Sequence, residues 1–246
     1  MSPIKDCKAM IFAAGLGTRL KPFTDHHPKA LARVNGKSLL ERNLEYLNRF
    51  GIVDFVINTH HFADQIDAEL KKIQRPEWDI AISYEADGPF ETGGGLAYAS
   101  KYLNQDGPPF IVMNVDILTN LDLIGMFEYH QKIKPLATLA VTDRESSRQL
   151  LFDDEMKLAG WKNNHSGEVK WVHGVVDDIR PFSFSGIHVI HPNIFKYMPA
   201  DGIFSMIDVY LKIAKEELVI AYDHSGDLVL DVGKPDSLIK AEEIFE

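Results

Sequence analysis

The chain has 246 residues, 45% of them hydrophobic and 25% charged, and a formal net charge of −10. This is the make-up of an ordinary globular protein with enough apolar surface for a sizeable core, and its acidity argues against bulk nucleic-acid binding. The lone Cys7 excludes an internal disulfide or a cysteine zinc cluster, and the longest apolar runs, Ala9–Ala14 and Phe110–Val112, fall far short of the ~18 residues that span a bilayer.

Along the chain, Met1 to Lys8 leaves no space for the apolar core of a signal peptide, so a cytoplasmic location is expected. Lys8–Ala13 reads as a buried strand that ends at a glycine loop. Ser38–Phe50 places Leu40, Leu44 and Leu47 at i, i+4 and i+7 and stops at Gly51, which predicts an amphipathic helix. A strand at Asp54–Thr59, a helix at Ala63–Ile73, a strand at Ile80–Tyr84, a short helix at Leu96–Leu103 and a strand at Phe110–Asn114 follow. Such alternation implies a mainly parallel sheet flanked by helices. After about residue 136 the rhythm changes to Leu136–Thr142, Gln149–Phe152, Leu158–Trp161 and Phe182–Ile190, which read as antiparallel strands. Helix and strand return at Ser205–Glu216, Val219–Tyr222, Leu228–Val232 and Ser237–Phe245, with Met206, Ile207 and Tyr210 as helix core. One domain with a second lobe accounts for the pattern.

The charge is uneven. Residues 1–40 hold Lys5, Lys8, Arg19, Lys21, Lys29, Arg33 and Lys37 against Asp6 and Asp25, a net of +5, so the rest carries −15. Such an opening is either a solvated face or a local site for an anion. Within it lies Ala13-Ala14-Gly15-Leu16-Gly17-Thr18-Arg19, followed by Pro28-Lys29. Glycines just beyond a strand let the backbone turn and direct its N–H groups at a phosphate, and Arg19 and Lys29 add charge-assisted bonds. The alternative is a tight turn with surface bases. A dinucleotide fingerprint is excluded because its third glycine would fall on Leu20, and a P-loop ending in Gly36-Lys37-Ser38 because its first would fall on Leu31. Asp116 and Asp231 each close an apolar strand, at the end where open α/β sheets bind ligands, or else simply cap the turns that follow. Two carboxylates brought together there would suit Mg²⁺. The histidine pairs His26-His27 and His60-His61 lack metal-site spacing. Trp161 and Trp171 either stack on a ligand or pack the second lobe, and Asp153–Glu155 and Asp177-Asp178 read as solvated turns.

Taken with Pro28-Lys29, Gly15–Arg19 resembles the signature of the sugar-1-phosphate nucleotidyltransferases. Phe90-Glu-Thr-Gly-Gly-Gly95, Asn114-Val-Asp116 and Asp231-Val-Gly-Lys-Pro235 match further blocks of that family in order. The resemblance implies a Rossmann-like fold with a mixed, mainly parallel sheet and a small antiparallel sugar-binding lobe. It divides the chain into a nucleotide-binding part at 1–135, a sugar lobe at 136–200 and a return to the main sheet at 201–246. It also implies an NTP and a sugar 1-phosphate as ligands, with Mg²⁺ on Asp116 and Asp231. Arg19, Lys29 and Asp116 would be catalytic. Ala13, Ala14, Gly15, Gly17, Thr18, Asp87, Thr92 and Gly93 would join Arg19 and Lys29 around the nucleotide, with Asp87 equally readable as a turn acid. Asn114, Lys162 and Gly186 would meet the sugar phosphate. Glu91-Thr-Gly-Gly-Gly resembles the form found in N-acetylmuramate 1-phosphate uridylyltransferases of peptidoglycan recycling, so UTP is the expected nucleotide. The chain length, with no room for a C-terminal β-helix, points the same way. A guanylyltransferase for mannose or heptose 1-phosphate is the neighbouring alternative, and a non-catalytic sensor of nucleotide sugars the distant one. Two departures stand out. Val115 replaces the glycine usual before the metal aspartate, and the family's Glu-Glu-Lys-Pro sugar segment is met only by Gly160-Trp-Lys-Asn163, without its glutamate.

Overall fold

The computed structural model describes residue 4 and residues 6–103, 107–175 and 177–245; Lys5 of the basic opening lies outside them. In chain order the strands and α-helices are β1 (Lys8–Phe12), β2 (Arg33–Val34), β3 (Lys37–Ser38), α1 (Leu39–Arg49), β4 (Asp54–Thr59), α2 (Ala63–Ile73), β5 (Asp79–Tyr84), α3 (Glu91–Ala99), β6 (Phe110–Asn114) and β7 (Ile117–Thr119). After α4 (Leu123–Ile133) come β8 (Ala137–Thr142), β9 (Arg148–Phe152), β10 (Leu158–Asn163), β11 (Val169–Trp171), β12 (Arg180–Ile190), α5 (Met206–Ile213), β13 (Val219–Asp223), β14 (Val229–Asp231) and α6 (Pro235–Ile244).

β6, β1, β4 and β5 run parallel, with Met10 paired to Val56 on one side and Val112 on the other. The central strands β1 and β6 are near-continuous apolar runs because helices cover both faces there and leave no solvated side. β12 joins the antiparallel part to this sheet. Its second half, Ile187–Ile190, pairs with β6; its first residues, Arg180–Phe182, pair with β9, and β9, β10 and β11 continue outward. β8 lies along the other edge of β12 and carries β13 in parallel. The strand changes partner across a bulge between Phe184 and His188, where Gly186 takes φ +72°. A bulge of this kind bends a strand and increases its twist, which lets one strand serve two sheets.

Helix α1 begins where the leucine spacing predicts: the Ser38 hydroxyl accepts from the Glu41 N–H at 3.1 Å, and Leu40, Leu44 and Leu47 are fully buried. Helix α4 has no counterpart in the sequence reading. Leu123, Met126, Phe127 and His130 share its buried face at helical spacing, and the polar His130 together with Gly125 interrupts the apolar pattern. Helix α3 starts five residues before the predicted Leu96 and takes in Gly93, Gly94 and Gly95. Its glycines are there for close approach. A Cβ on Gly94 would overlap the Gly202 carbonyl, one on Gly93 the Phe204 ring, and one on Gly95 would lie 2.6 Å from Glu85 Oε1.

Two core histidines give the fold a pH dependence. His188 contacts the Tyr210 hydroxyl at 2.6 Å and His130 the Thr138 hydroxyl at 2.9 Å, both between ring Nδ1 and the oxygen. Burial lowers the His188 pKa to about 3, and burial together with the nearby His191 lowers that of His130 to about 4. An unfolded imidazole titrates near 6.5, so between these values the unfolded chain binds more protons and acid favours unfolding. Stability is full above pH 6.5 and falls as the pH drops toward the folded values. From pH 7 to 5 each imidazole is expected to cost about 2 kcal/mol. Urea denaturation at both pH values checks this, with His188→Gln losing its share of the slope; equal stability at pH 5 and 7 would contradict it.

Candidate active site

The loop after β1 turns at Gly17, with φ +61°. The Gly17 carbonyl accepts from the Leu20 N–H at 2.8 Å and from the Thr24 hydroxyl at 3.0 Å. A Cβ on Gly17 would stand 2.8 Å from Thr24 Cγ2 and 2.9 Å from Lys29 Cβ, so glycine is needed for the Lys29 stem to pack against the loop. Gly15, by contrast, faces open space. Thr18 and Arg19 lie on an exposed turn of 3₁₀-helix, and Lys29 begins another.

Asp116 follows β6 and is held by its backbone. The Val115 N–H bonds to the Phe12 carbonyl of β1 at 3.2 Å, and the Asn43 side chain donates to the Val115 carbonyl at 2.7 Å. Asp231 ends β14, which pairs with β7 in a separate two-stranded ribbon rather than with the main sheet. The ribbon reaches the site because the Val232 N–H donates to the Asp116 carbonyl at 2.7 Å. The two acids expected to share a cation therefore sit on tied segments.

Four charges converge here. Lys29 Nζ pairs with Asp116 Oδ2, both side chains largely buried. Arg19 Nη2 lies 4.0 Å from Asp116 Oδ2 and 3.8 Å from Asp231 Oδ2, which is electrostatic contact rather than hydrogen bonding. Asp231 Oδ1 is buried with no hydrogen-bond partner among the described residues. Two cations and two carboxylates thus neutralise one another.

The quartet stands between two cavities. On one side a cavity of about 210 Å³ is lined by Ala14, Gly15, Lys29, Thr92, Asn114 and Asp116, together with Asn58, Glu85 and Glu91. On the other, a cavity of about 580 Å³ is lined by Arg19 and Asp231 together with residues of the antiparallel part. The first cavity has a built floor. Glu85, fully buried one residue beyond β5, accepts from the Asn58 side chain at 2.7 Å and from the Phe90 N–H at 2.8 Å. Glu91 holds φ +58°, a conformation that costs a non-glycine residue of order 1 kcal/mol and tends to mark functional segments.

Of the residues singled out by sequence, Ala14, Gly15, Lys29, Thr92, Asn114 and Asp116 share the first cavity, and Arg19 and Asp231 the second. Ala13 is buried, its N–H bonded to the Asn58 carbonyl at 2.9 Å. Thr92 accepts from the Met206 N–H at 2.9 Å, and the Gly93 N–H is already bonded to the Phe204 carbonyl at 2.9 Å, so these residues tie α3 to the start of α5. Gly186 backs onto Asn114: a Cβ there would lie 2.8 Å from Asn114 Nδ2. Asp87 is exposed and does not line the cavity. Nor does Lys162; alternation along β10 gives the larger cavity Trp161 and Asn163 instead. Ile207, expected in the core, also faces that cavity. The motifs do not point to Asn43, Asn58 or Glu85. Asn43 is legible as a polar residue on the leucine face of α1, and Glu85 as an acid at a strand end.

A family model described as nucleotidyl transferase matches residues 8–150. An N-acetylmuramate alpha-1-phosphate uridylyltransferase of Caulobacter vibrioides is 31% identical over 95% of both chains, and that of Neisseria meningitidis 30% identical over 96% of this chain and 97% of its own. A mannose-1-phosphate guanyltransferase of Aspergillus fumigatus is 27% identical over 93% of this chain and 61% of its own. Among solved structures, HddC from Yersinia pseudotuberculosis superimposes with a TM-score of 0.78 at 24% identity over 98% of this chain and all of its own. A UDP-glucose pyrophosphorylase complexed with UDP-glucose gives 0.74 at 18% over 97% and 98%. The mixed, mainly parallel sheet flanked by helices, with its antiparallel extension, is thus the expected Rossmann-like nucleotidyltransferase fold. Among the described residues no helix is long and apolar enough to cross a membrane.

Proposed function

The chain belongs to the nucleotidyl transferase family, and from that premise we propose that it transfers a uridylyl group from UTP to N-acetylmuramate 1-phosphate, releasing pyrophosphate. The observation that carries the reading is the quartet of Arg19, Lys29, Asp116 and Asp231 at the junction of two cavities, one beside the phosphate-type loop and one in the antiparallel lobe. A sugar 1-phosphate is already ionised, so its oxygen needs no protein base to attack the α-phosphorus. A P–O bond forms there while the bond to the β-phosphate oxygen breaks. What the protein must supply is alignment and neutralisation of charge. Arg19 and the Gly15–Thr18 amides are suited to the departing β- and γ-phosphates, and Lys29 to the oxygens around the reacting phosphorus. Asn114, between the first cavity and Gly186, is the candidate contact for the incoming sugar phosphate.

Asp116 and Asp231 fit a divalent cation: they offer hard carboxylate oxygens on tied segments, and Asp231 Oδ1 is buried without a partner among the described residues. Among the described residues no group of three or more His, Cys, Asp or Glu converges to hold a metal. One or two carboxylates plus phosphate oxygens is the arrangement Mg²⁺ prefers. Bound there, Mg²⁺ would offset the charge that builds on the α-phosphate. Substrate binding then exchanges partners within the quartet, the cations turning from the acids to phosphate.

The choice of UTP is supported by the Glu91-Thr-Gly-Gly-Gly segment and by the two uridylyltransferase relatives matched over 95% or more of both chains. Such a product would serve peptidoglycan recycling. Pyrophosphate release with UTP and GTP across N-acetylmuramate, N-acetylglucosamine, mannose and heptose 1-phosphates tests it. The expected result is a kcat/KM at least about 10-fold higher with UTP and N-acetylmuramate 1-phosphate than with any GTP pair. Preference for GTP would overturn the base assignment, and nucleotide-sugar binding without turnover would favour a sensor.

A further inference from the structure

The larger cavity holds more positive charge than a neutral sugar needs. Of its lining residues Arg19 and Asp231 offset each other, but Arg144 and Arg148 have no carboxylate within 4.0 Å among the described residues. Arg144 is fixed in place: its Nη2 donates to the Phe184 carbonyl at 3.1 Å, its own carbonyl accepts from the Ser183 hydroxyl at 2.6 Å, and its Nε is buried without a partner among the described residues. Arg148 opens β9 and is in register with Asn163 of β10, so both project from the face that carries Trp161. The nearby Lys170 differs, because it is paired with Asp208 at 3.0 Å. In a chain of net charge −10, two guanidiniums that line one cavity with no carboxylate partner among the described residues call for an explanation in the ligand.

Sugar hydroxyls are served by neutral amides and hydroxyls, whereas desolvating a guanidinium is offset best by an anion that accepts its fork of N–H groups. The 1-phosphate is assigned to the junction of the two cavities, beside Lys29 and Asn114, which leaves Arg144 and Arg148 to another group of the sugar. We propose that Arg144 and Arg148 form an anion subsite that selects sugar 1-phosphates carrying a second negative group on the ring, a carboxylate in the case of N-acetylmuramate. This inference rests on the transferase reading above and adds to it two residues that set sugar specificity. The subsite also explains why the family's sugar-binding glutamate is absent at Gly160–Asn163: a carboxylate there would repel an acidic sugar.

The test measures kcat/KM of the full chain with UTP and three acceptors: N-acetylmuramate 1-phosphate, N-acetylglucosamine 1-phosphate and glucose 1,6-bisphosphate. The wild type should favour the carboxylated over the neutral acetamido sugar at least about 10-fold. Arg148→Gln should reduce that ratio about 10-fold, mainly through KM; Arg148→Lys should retain much of it, and Arg148→Glu should reverse the preference. Arg144→Gln should act in the same direction, and because Arg144 is partly buried, the exposed Arg148 series decides the matter if that variant misfolds. A wild-type ratio near one, or a ratio the Arg148 variants leave unchanged, overturns the subsite and leaves the transferase standing. Preference for the bisphosphate keeps an anion subsite and overturns the carboxylate. If the folded enzyme turns over no acceptor with either UTP or GTP, the transferase reading has failed and the inference falls with it.

Discussion

Lys29→Ala is expected to lower kcat by about 10³-fold or more while the protein stays folded. The Lys29 ammonium is the most enclosed cation of the quartet, paired with Asp116 Oδ2, and its stem packs against Gly17. A positive charge held in a site with little water interacts with a reacting phosphate far more strongly than one in solvent. Arg19 cannot replace it. Its guanidinium is 56% exposed and stands 4.0 Å from Asp116, toward the second cavity. The fold should survive, because the turn at Lys29 is closed by backbone bonds, Ala32 N–H to the Lys29 carbonyl at 3.0 Å and Leu31 N–H to the Pro28 carbonyl at 2.9 Å. Pyrophosphate release beside a circular dichroism melt separates chemistry from folding. A folded variant with turnover within 10-fold of wild type would remove Lys29 from the reaction.

Asp116→Asn should cost at least as much, for a different reason. The amide keeps the size of the carboxylate, and the bonds that set the segment, from Val232 N–H and to Phe12, are made by backbone. What is lost is one negative charge. Lys29 then loses its carboxylate partner and Arg19 keeps Asp231 alone, and the pair of acids proposed to hold Mg²⁺ is reduced to one. Turnover should fall about 10³-fold or more, and the Mg²⁺ concentration giving half-maximal rate should rise. A metal titration of initial rates on a variant with unchanged melting behaviour reads both effects. Unaltered Mg²⁺ dependence would show that Asp116 does not hold the cation.

Much of this arrangement is legible in the sequence, for reasons that can be named. The buried strands before Gly15 and Asp116 are unbroken apolar runs, and a glycine loop or acid at such a strand end sits where open sheets bind ligands. Helix α1 is readable from three leucines and a serine cap. What escapes depends on distant parts of the chain. No local pattern announces that β12 serves two sheets, since this follows from the bulge at Gly186 and from partners dozens of residues away. Asp231 reads as the end of a main-sheet strand but belongs to a ribbon carried in by Val232. The glycines of α3 fall outside the helix predicted at Leu96–Leu103 because glycine disfavours helix by about 1 kcal/mol each. Here the Phe204 ring, the Gly202 carbonyl and the Glu85 carboxylate approach too closely for any side chain, and packing overrides propensity. Strand alternation separates Trp161 and Asn163 from Lys162, yet which set faces the cavity depends on β9 and β12.

The balance of charge also takes on a more specific meaning. The basic opening contributes Arg19 and Lys29 to the quartet, whereas Lys8 and Lys21 are paired locally with Asp54 and Asp25, each at 2.9 Å. Arg33 meets Glu69 at 3.2 Å and Lys37 meets Glu45 at 2.6 Å. Three of these bases are thus neutralised by acids of the remainder and Lys21 by an acid of the opening itself, and among the described residues Arg19 and Lys29 reach the site.

The central claim is direct transfer: the sugar phosphate attacks the nucleotide with no protein group intervening. It is tested by incubating the enzyme with UTP labelled at the α-phosphorus, Mg²⁺ and N-acetylmuramate 1-phosphate, then following the label. The account predicts that all transferred label appears in the UDP-sugar, with unlabelled pyrophosphate released in equal amount and none bound covalently to protein, even when the acceptor is withheld. Label that stays on denatured protein, and is chased into UDP-sugar when acceptor is added, would contradict it.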